Sequence, residues 1–175
     1  LLGDYSGNRV NGVNEPDLRR PSMVWWAPDP ETARFGEAQK WFYAREEPDE
    51  EMLDLRAQRR EVVAQKIPEV AAEKITQTPA QWTAELEQFV ASGDCEMTGG
   101  TPLNPDWVFE HEESSLATVI MLGVQHDYEE LQHVPELRGG KDVTRQYLRA
   151  AAAAKKVAGW LRDQGYQADA VTGPM

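Results

Sequence analysis

The stretch 116–124 (LATVIMLGV), running directly into Gln125, His126, Asp127 and Tyr128, decides how this chain is read. Nine nearly continuous apolar residues suit a central strand covered on both faces. A polar tetrad then sits where ligands collect, outside the carboxyl end of a strand. Residues 141–164 follow with Val143, Tyr147, Ala150, Ala154, Val157 and Leu161 at spacings of three and four, the period of an amphipathic helix. The alanine block 150–154 leaves that helix little bulk, so it can pack closely on a sheet. Gly165 stops it, and 166–171 reads as the next strand. Strand, crossover helix and strand make half of a sheet. That half-sheet stops at Met175 and the chain opens on Leu1 without an initiator methionine, so the sequence reads as a piece of something larger.

Working towards the N-terminus, Asp94–Thr98 reads as a short strand ending in a Gly99-Gly100 turn. Before it, Thr78, Pro79 and Gln81 form a helix start: a threonine cap, proline at the first helical position, and glutamine placed to close a capping box. Trp82, Leu86, Phe89 and Val90 give that helix one buried stripe, and Gly93 ends it as a left-handed cap. Residues 52–65 form another amphipathic helix on Met52, Leu55, Val62 and Val63, interrupted by Pro68. The acidic run 46–51 reads as a solvated turn leading into it. Residues 31–47 form a helix with Phe35, Ala38, Trp41 and Phe42 on one face. Residues 1–30 are an irregular arm rich in Gly, Asn, Asp and Pro, with a sticky segment at 23–26.

Composition narrows the function classes. The 175 residues carry a formal charge of -12, with 41% hydrophobic content and a mean hydropathy of -0.62. Such a surplus of carboxylates opposes a phosphate track or an anionic membrane, so neither nucleic acid nor membrane is an expected partner. The longest apolar run is too short to span a bilayer, and the expected location is the cytoplasm. One cysteine, Cys95, excludes an internal disulfide, an iron–sulfur cluster and a structural zinc site held by this chain alone. Its neighbours Asp94 and Glu96 disfavour the thiolate, so it is a poor nucleophile. His111 and His133 lie in polar loops without metal-ligand spacing and read as surface residues, so no metal site is expected.

The second half resembles the cobalamin-dependent reductive dehalogenases, the soluble catabolic type in particular, and more distantly epoxyqueuosine reductase. Three stretches carry the likeness: FVASGD at 89–94 with MTGGTPLNPDWVF at 97–109; VIMLGVQHDY at 119–128; and YLRAA at 147–151 with AGWLRDQGYQA at 158–168 and TGPM at 172–175. The resemblance covers roughly residues 78–175. It implies an α+β chain in which a helical extension, 1–77, precedes the first part of a nitroreductase-like α/β core that binds cobalamin, 78–175. It implies two four-iron four-sulfur clusters outside this chain, in a C-terminal iron–sulfur segment or a partner chain, and an organohalide as the small-molecule substrate. No catalytic residue falls within this chain, because the family's proton donor and cluster cysteines come after the point where it stops.

On that resemblance His126, Asp127 and Tyr128 line the corrin or the substrate mouth, and Thr172, Gly173 and Pro174 let backbone approach the corrin closely. From the residues alone both are also ordinary strand-end turns with capping contacts. The rival function is a non-catalytic assembly module that pairs its open sheet edge with a partner. A third is a flavin-binding relative on the same fold.

Overall fold

The computed structural model of the protein describes residues 20–22, 29–33, 35–44, 49–110 and 112–172. The fold is α+β: five helices and one two-stranded antiparallel sheet among the described residues. The helices are α1 (Gly36–Ala44), α2 (Glu50–Ala64), α3 (Pro79–Ala91), α4 (Tyr128–Leu131) and α5 (Leu137–Asp163), and the strands are β1 (Met97–Pro102) and β2 (Thr118–Gly123). The chain divides into two compact units. One comprises residues 1–46, 102–119 and 173–175; the other comprises 47–101 and 120–172.

The larger unit is organised by α5. Helix α2 lies along it, held where Met52 and Leu55 are buried. Their junction is reinforced by charge. Lys141 pairs with Asp49 and, at 2.7 Å, with Glu51, and Arg145 reaches Glu51 at 3.2 Å. Asp49 also caps α2 by accepting the Met52 N–H, and both bonds hold its carboxyl below the usual range, the Lys141 contact first. Helix α3 starts as its sequence predicts: Thr78 accepts the Gln81 N–H, and Gln81 returns a bond to the Thr78 N–H. It ends at Gly93, whose φ is +79°.

The α3 stripe meets the far end of α5 through aromatic edges. Trp82 stands edge-on to Trp160 and Tyr166, with ring centroids 5.7 and 5.4 Å apart, and Phe89 meets Trp160 at 5.5 Å. The stripe is half-buried, with no α3 residue fully enclosed. Gly165, at φ +84°, turns the chain out of α5 against the 71–75 segment, whose Ala71 and Ile75 N–H groups bond to the carbonyls of Arg162 and Gln164.

Several sequence expectations shift. Helix α5 begins at Leu137, four residues earlier than predicted, and its enclosed face is Asp142, Gln146, Ala151, Ala153 and Val157, while Tyr147 is exposed. The small residues at 150–154 serve helix packing, since the main neighbours of α5 are α2, α4 and α3. Strand β2 is not a covered central strand: among the described residues it pairs with β1 alone, and Met121 is 62% exposed. An apolar run specifies extended backbone but not its neighbours, and here a local hairpin-like return supplies the partner. Gly99 and Gly100 lie within β1 and make no turn. Residues 166–171 join no ladder among the described residues: the Tyr166 hydroxyl donates to the Ile75 carbonyl, and Arg162 donates to the Ala168 carbonyl at 2.7 Å and to Asp169 at 2.9 Å.

In the smaller unit, Arg20 gathers the 108–112 turn, donating to the carbonyls of Val108 (2.9 Å), Phe109 and Glu112. Helix α1 is shorter than predicted, and Phe35, Trp41 and Phe42 are exposed while Gln39 is buried. Nothing in the sequence pattern foretells that inversion. The segments 23–26, 45–48 and His111 lie outside the described residues.

Candidate functional site

Where β2 ends, the chain opens a cleft of about 390 Å³ lined by Glu96, Gln125, His126, Asp127, Tyr128, Gln146 and Arg149. Its floor is built by a close approach. A Cβ on Gly123 would stand 2.4 Å from the Met97 side chain, so the last residue of β2 lies against the first of β1 with that side chain folded over it. That brings Glu96 beneath the 125–128 turn, where its Oε2 accepts the Gln125 N–H at 2.7 Å.

From α5 the residues Asp142, Gln146 and Arg149 project at i, i+4 and i+7, one face of the helix. They complete a chain of hydrogen bonds whose two ends are neighbours in sequence. Arg149 donates to Glu96 Oε1 at 2.7 Å and to Gln146 Oε1 at 2.9 Å. The other end of the Gln146 amide donates to Asp142 Oδ1 at 2.8 Å. Asp142 Oδ2 then faces His126 Nδ1 at 3.0 Å and accepts the Asp127 N–H at 3.3 Å. Gln125, where the bonds began, is the neighbour of His126.

Asp142 has no solvent-exposed surface. Burial alone would raise its pKa, but the Gln146 amide, the His126 ring and the Asp127 N–H outweigh it and hold the carboxyl below the usual range. Glu96 is also held low, by the Arg149 guanidinium first and the Gln125 N–H second. An ionised carboxylate accepts only, so the His126 Nδ1 that faces Asp142 is the donor. The His126 side chain is 39% exposed, and with Nδ1 turned to a buried carboxylate, the edge left to the cleft carries Nε2.

Three of the six predicted site residues, His126, Asp127 and Tyr128, therefore come together in one cleft. Their roles differ. Asp127 is a cap, accepting the Glu129 and Glu130 N–H groups at 2.9 and 3.3 Å, which is the ordinary strand-end reading. Tyr128 is 73% exposed at the rim. Thr172 is not part of the cleft lining; its carbonyl accepts from Arg59 at 2.7 Å. Gly173 and Pro174 lie outside the described residues.

The residues that sequence reasoning missed are Glu96, Asp142, Gln146 and Arg149. One signal could have found three of them. Asp142, Gln146 and Arg149 lie at helical spacing, and Asp142 and Gln146 continue in register into the buried Ala153 and Val157. Polar groups on an enclosed helix face require partners.

The remaining candidates resolve as structural. Cys95 is buried, and burial, followed by the Asp94 and Glu96 carboxylates, pushes its thiol up. His133 meets Arg138 at 2.8 Å, beside the two-toothed Arg138–Glu130 pair at 2.6 and 2.8 Å. No group of three His, Cys, Asp or Glu side chains among the described residues is arranged for a metal ion. No described helix is long and apolar enough to cross a membrane. Comparison with protein-family models, with curated proteins and with solved structures found no match for this chain.

Proposed function

We propose that the cleft at the end of β2 is a ligand cradle, and that its ligand is the amide-fringed edge of a corrinoid. The chain would then be a part of a cobalamin- and iron–sulfur-dependent, reductive dehalogenase-like oxidoreductase, its 78–175 portion opening a nitroreductase-like core. The observation that carries the reading is the hydrogen-bond network around Asp142, which fixes His126, Gln146 and Arg149 in one orientation before any ligand arrives. Preorganised groups bind without losing rotamer freedom on association.

The fit is to the periphery of the cofactor. Carboxamides both donate and accept, and the cleft offers both: the free nitrogen of His126, the Tyr128 hydroxyl, the Gln125 amide and the Arg149 guanidinium. A volume of about 390 Å³ lies at the small end of sites for drug-sized molecules, room for side-chain amides and not for a macrocycle. When bound, the corrinoid supplies the cobalt redox chemistry that removes a halogen from an organohalide. The residues of this chain bind and orient. The two four-iron four-sulfur clusters need thiolates that a single cysteine cannot give, so they belong to a C-terminal segment or a partner chain.

The test is an optical titration of the product of the complete reading frame with cobalamin. Saturable spectral change, weakened by His126→Ala, supports the reading, and a protein that binds no corrinoid removes it.

A second reading has its own observation. The β1–β2 pair forms no larger sheet among the described residues, and Met97 and Met121 on it are 67% and 62% exposed. An assembly module would pair such an edge with a partner strand. Size-exclusion chromatography with light scattering separates the two: a monomer that binds corrinoid favours the cradle, an obligate oligomer that binds none favours the module.

A further inference from the structure

We infer that Asp142 sets the hydrogen-bonding polarity of the cleft: by holding His126 as its Nδ1–H tautomer it makes Nε2 an acceptor, so the cleft selects ligands that present an N–H or O–H donor. The inference rests on the cleft being a ligand site but not on the ligand being a corrinoid.

The tautomer follows from the accounting around Asp142. Its carboxylate is fully enclosed and takes hydrogen bonds from the Gln146 amide, the Asp127 N–H and the ring of His126. The Gln146 amide cannot be reversed to relieve it, because the Gln146 oxygen is committed to Arg149, which is itself committed to Glu96. Each member is thus fixed in one orientation, and the proton on His126 is fixed at Nδ1 by residues up to four hydrogen bonds distant. Neutral imidazole carries one proton, so Nε2 keeps its lone pair. A ligand carrying only acceptors would leave that lone pair facing another, and a site built on one hydrogen bond discriminates strongly against a partner that lacks it.

Asp142→Asn should invert the preference. Asparagine must place its NH2 either towards Gln146, against a donor at 2.8 Å, or towards His126 and the Asp127 N–H, the longest contact of the set at 3.3 Å. The second arrangement sacrifices less. It donates to Nδ1, moves the ring proton to Nε2, and turns the cleft-facing nitrogen into a donor.

The experiment is long-range proton–nitrogen NMR of His126 at mildly alkaline pH, with shift titrations of the 175-residue chain by three probes. Propionamide and N-methylpropionamide both carry an N–H; N,N-dimethylpropionamide keeps the carbonyl and carries none. The inference predicts an Nδ1–H ring in the native protein, saturable His126 shifts with the first two probes, and at least about tenfold weaker binding of the third. In Asp142→Asn the ring should become Nε2–H and the dimethyl probe should gain on the other two. A native ring protonated at Nε2, or three probes of equal affinity, overturns the inference and leaves the corrinoid reading standing. An Nδ1–H ring with no response to any probe removes the ligand-site reading itself, and the selectivity with it. Since the native protein alone decides the tautomer, a misfolded variant does not rescue the claim.

Discussion

Asp142 is the enclosed centre of the cleft's hydrogen bonds. Replacing it with alanine strands the Gln146 amide, the Asp127 N–H and the His126 ring nitrogen together, and a stranded donor at a buried site costs about 1–3 kcal/mol. Asp142→Ala should therefore lower stability in urea by about 3 kcal/mol, against about 1 kcal/mol for Asp142→Asn, which keeps the shape and part of the bonding. A loss under about 0.5 kcal/mol would mean that the network does not hold in solution. The same carboxylates give the protein a signed pH dependence. Asp142 and Glu96 are both held below their ordinary values in the fold, so their stabilisation is complete above the unfolded carboxylate range and is lost as the pH falls through their folded values. Urea midpoints should fall with pH on the acid side, and the slope should be shallower in the Glu96→Gln, Asp142→Asn double variant. Little of this was legible in the sequence. His126, Asp127 and Tyr128 announce themselves as a polar cluster after an apolar run. Asp142, which holds His126 and the Asp127 N–H, lies more than ten residues away, and only the polar face of α5 hinted at it.

At the scale of elements, signals that act within a few residues are legible in the sequence, and pairings between distant segments are not. The Thr78–Gln81 capping box and the Gly93 end of α3 lie within a few residues of the groups they satisfy, and both are present as predicted. Thr78→Ala should cost about 1 kcal/mol. The two left-handed glycines among the described residues provide a graded comparison. Gly93 has open space where a Cβ would go, so Gly93→Ala bears backbone strain alone, about 1 kcal/mol. Gly165 would drive a Cβ to 2.4 Å from the Glu73 carbonyl, so Gly165→Ala must also displace the 71–75 segment and should cost clearly more. Thermal melts of the two variants side by side check the order, and equal losses would contradict the packing of that segment on α5. The strands fared differently. Their extended character was evident from composition, but pairing is set by which chain segment returns, and LATVIMLGV finds β1 where a parallel neighbour was expected. Residues 166–171 read as a strand from their place after the helix, yet Arg162 holds Ala168 and Asp169 outside any ladder among the described residues.

For the whole molecule, the α+β class was legible, and so was the position of a polar cluster at the end of β2. The nitroreductase-like core remains a proposal that rests on the resemblance of residues 78–175 and on the chemistry of one cleft. The charge of -12 is compatible with both proposed readings, since carboxamides are neutral and a partner strand bonds through its backbone. What separates the readings is whether a corrinoid binds in the cleft. The most direct test is an NMR shift titration of the isotope-labelled chain with dicyanocobinamide, which keeps the amide fringe and lacks the nucleotide tail. Corrinoid binding in the cleft gives saturable shifts concentrated on Gln125, His126, Tyr128, Gln146 and Arg149, and their loss in His126→Ala. Shifts confined to the Trp82–Trp160 aromatic cluster, or none in the cleft at saturating ligand, would contradict it.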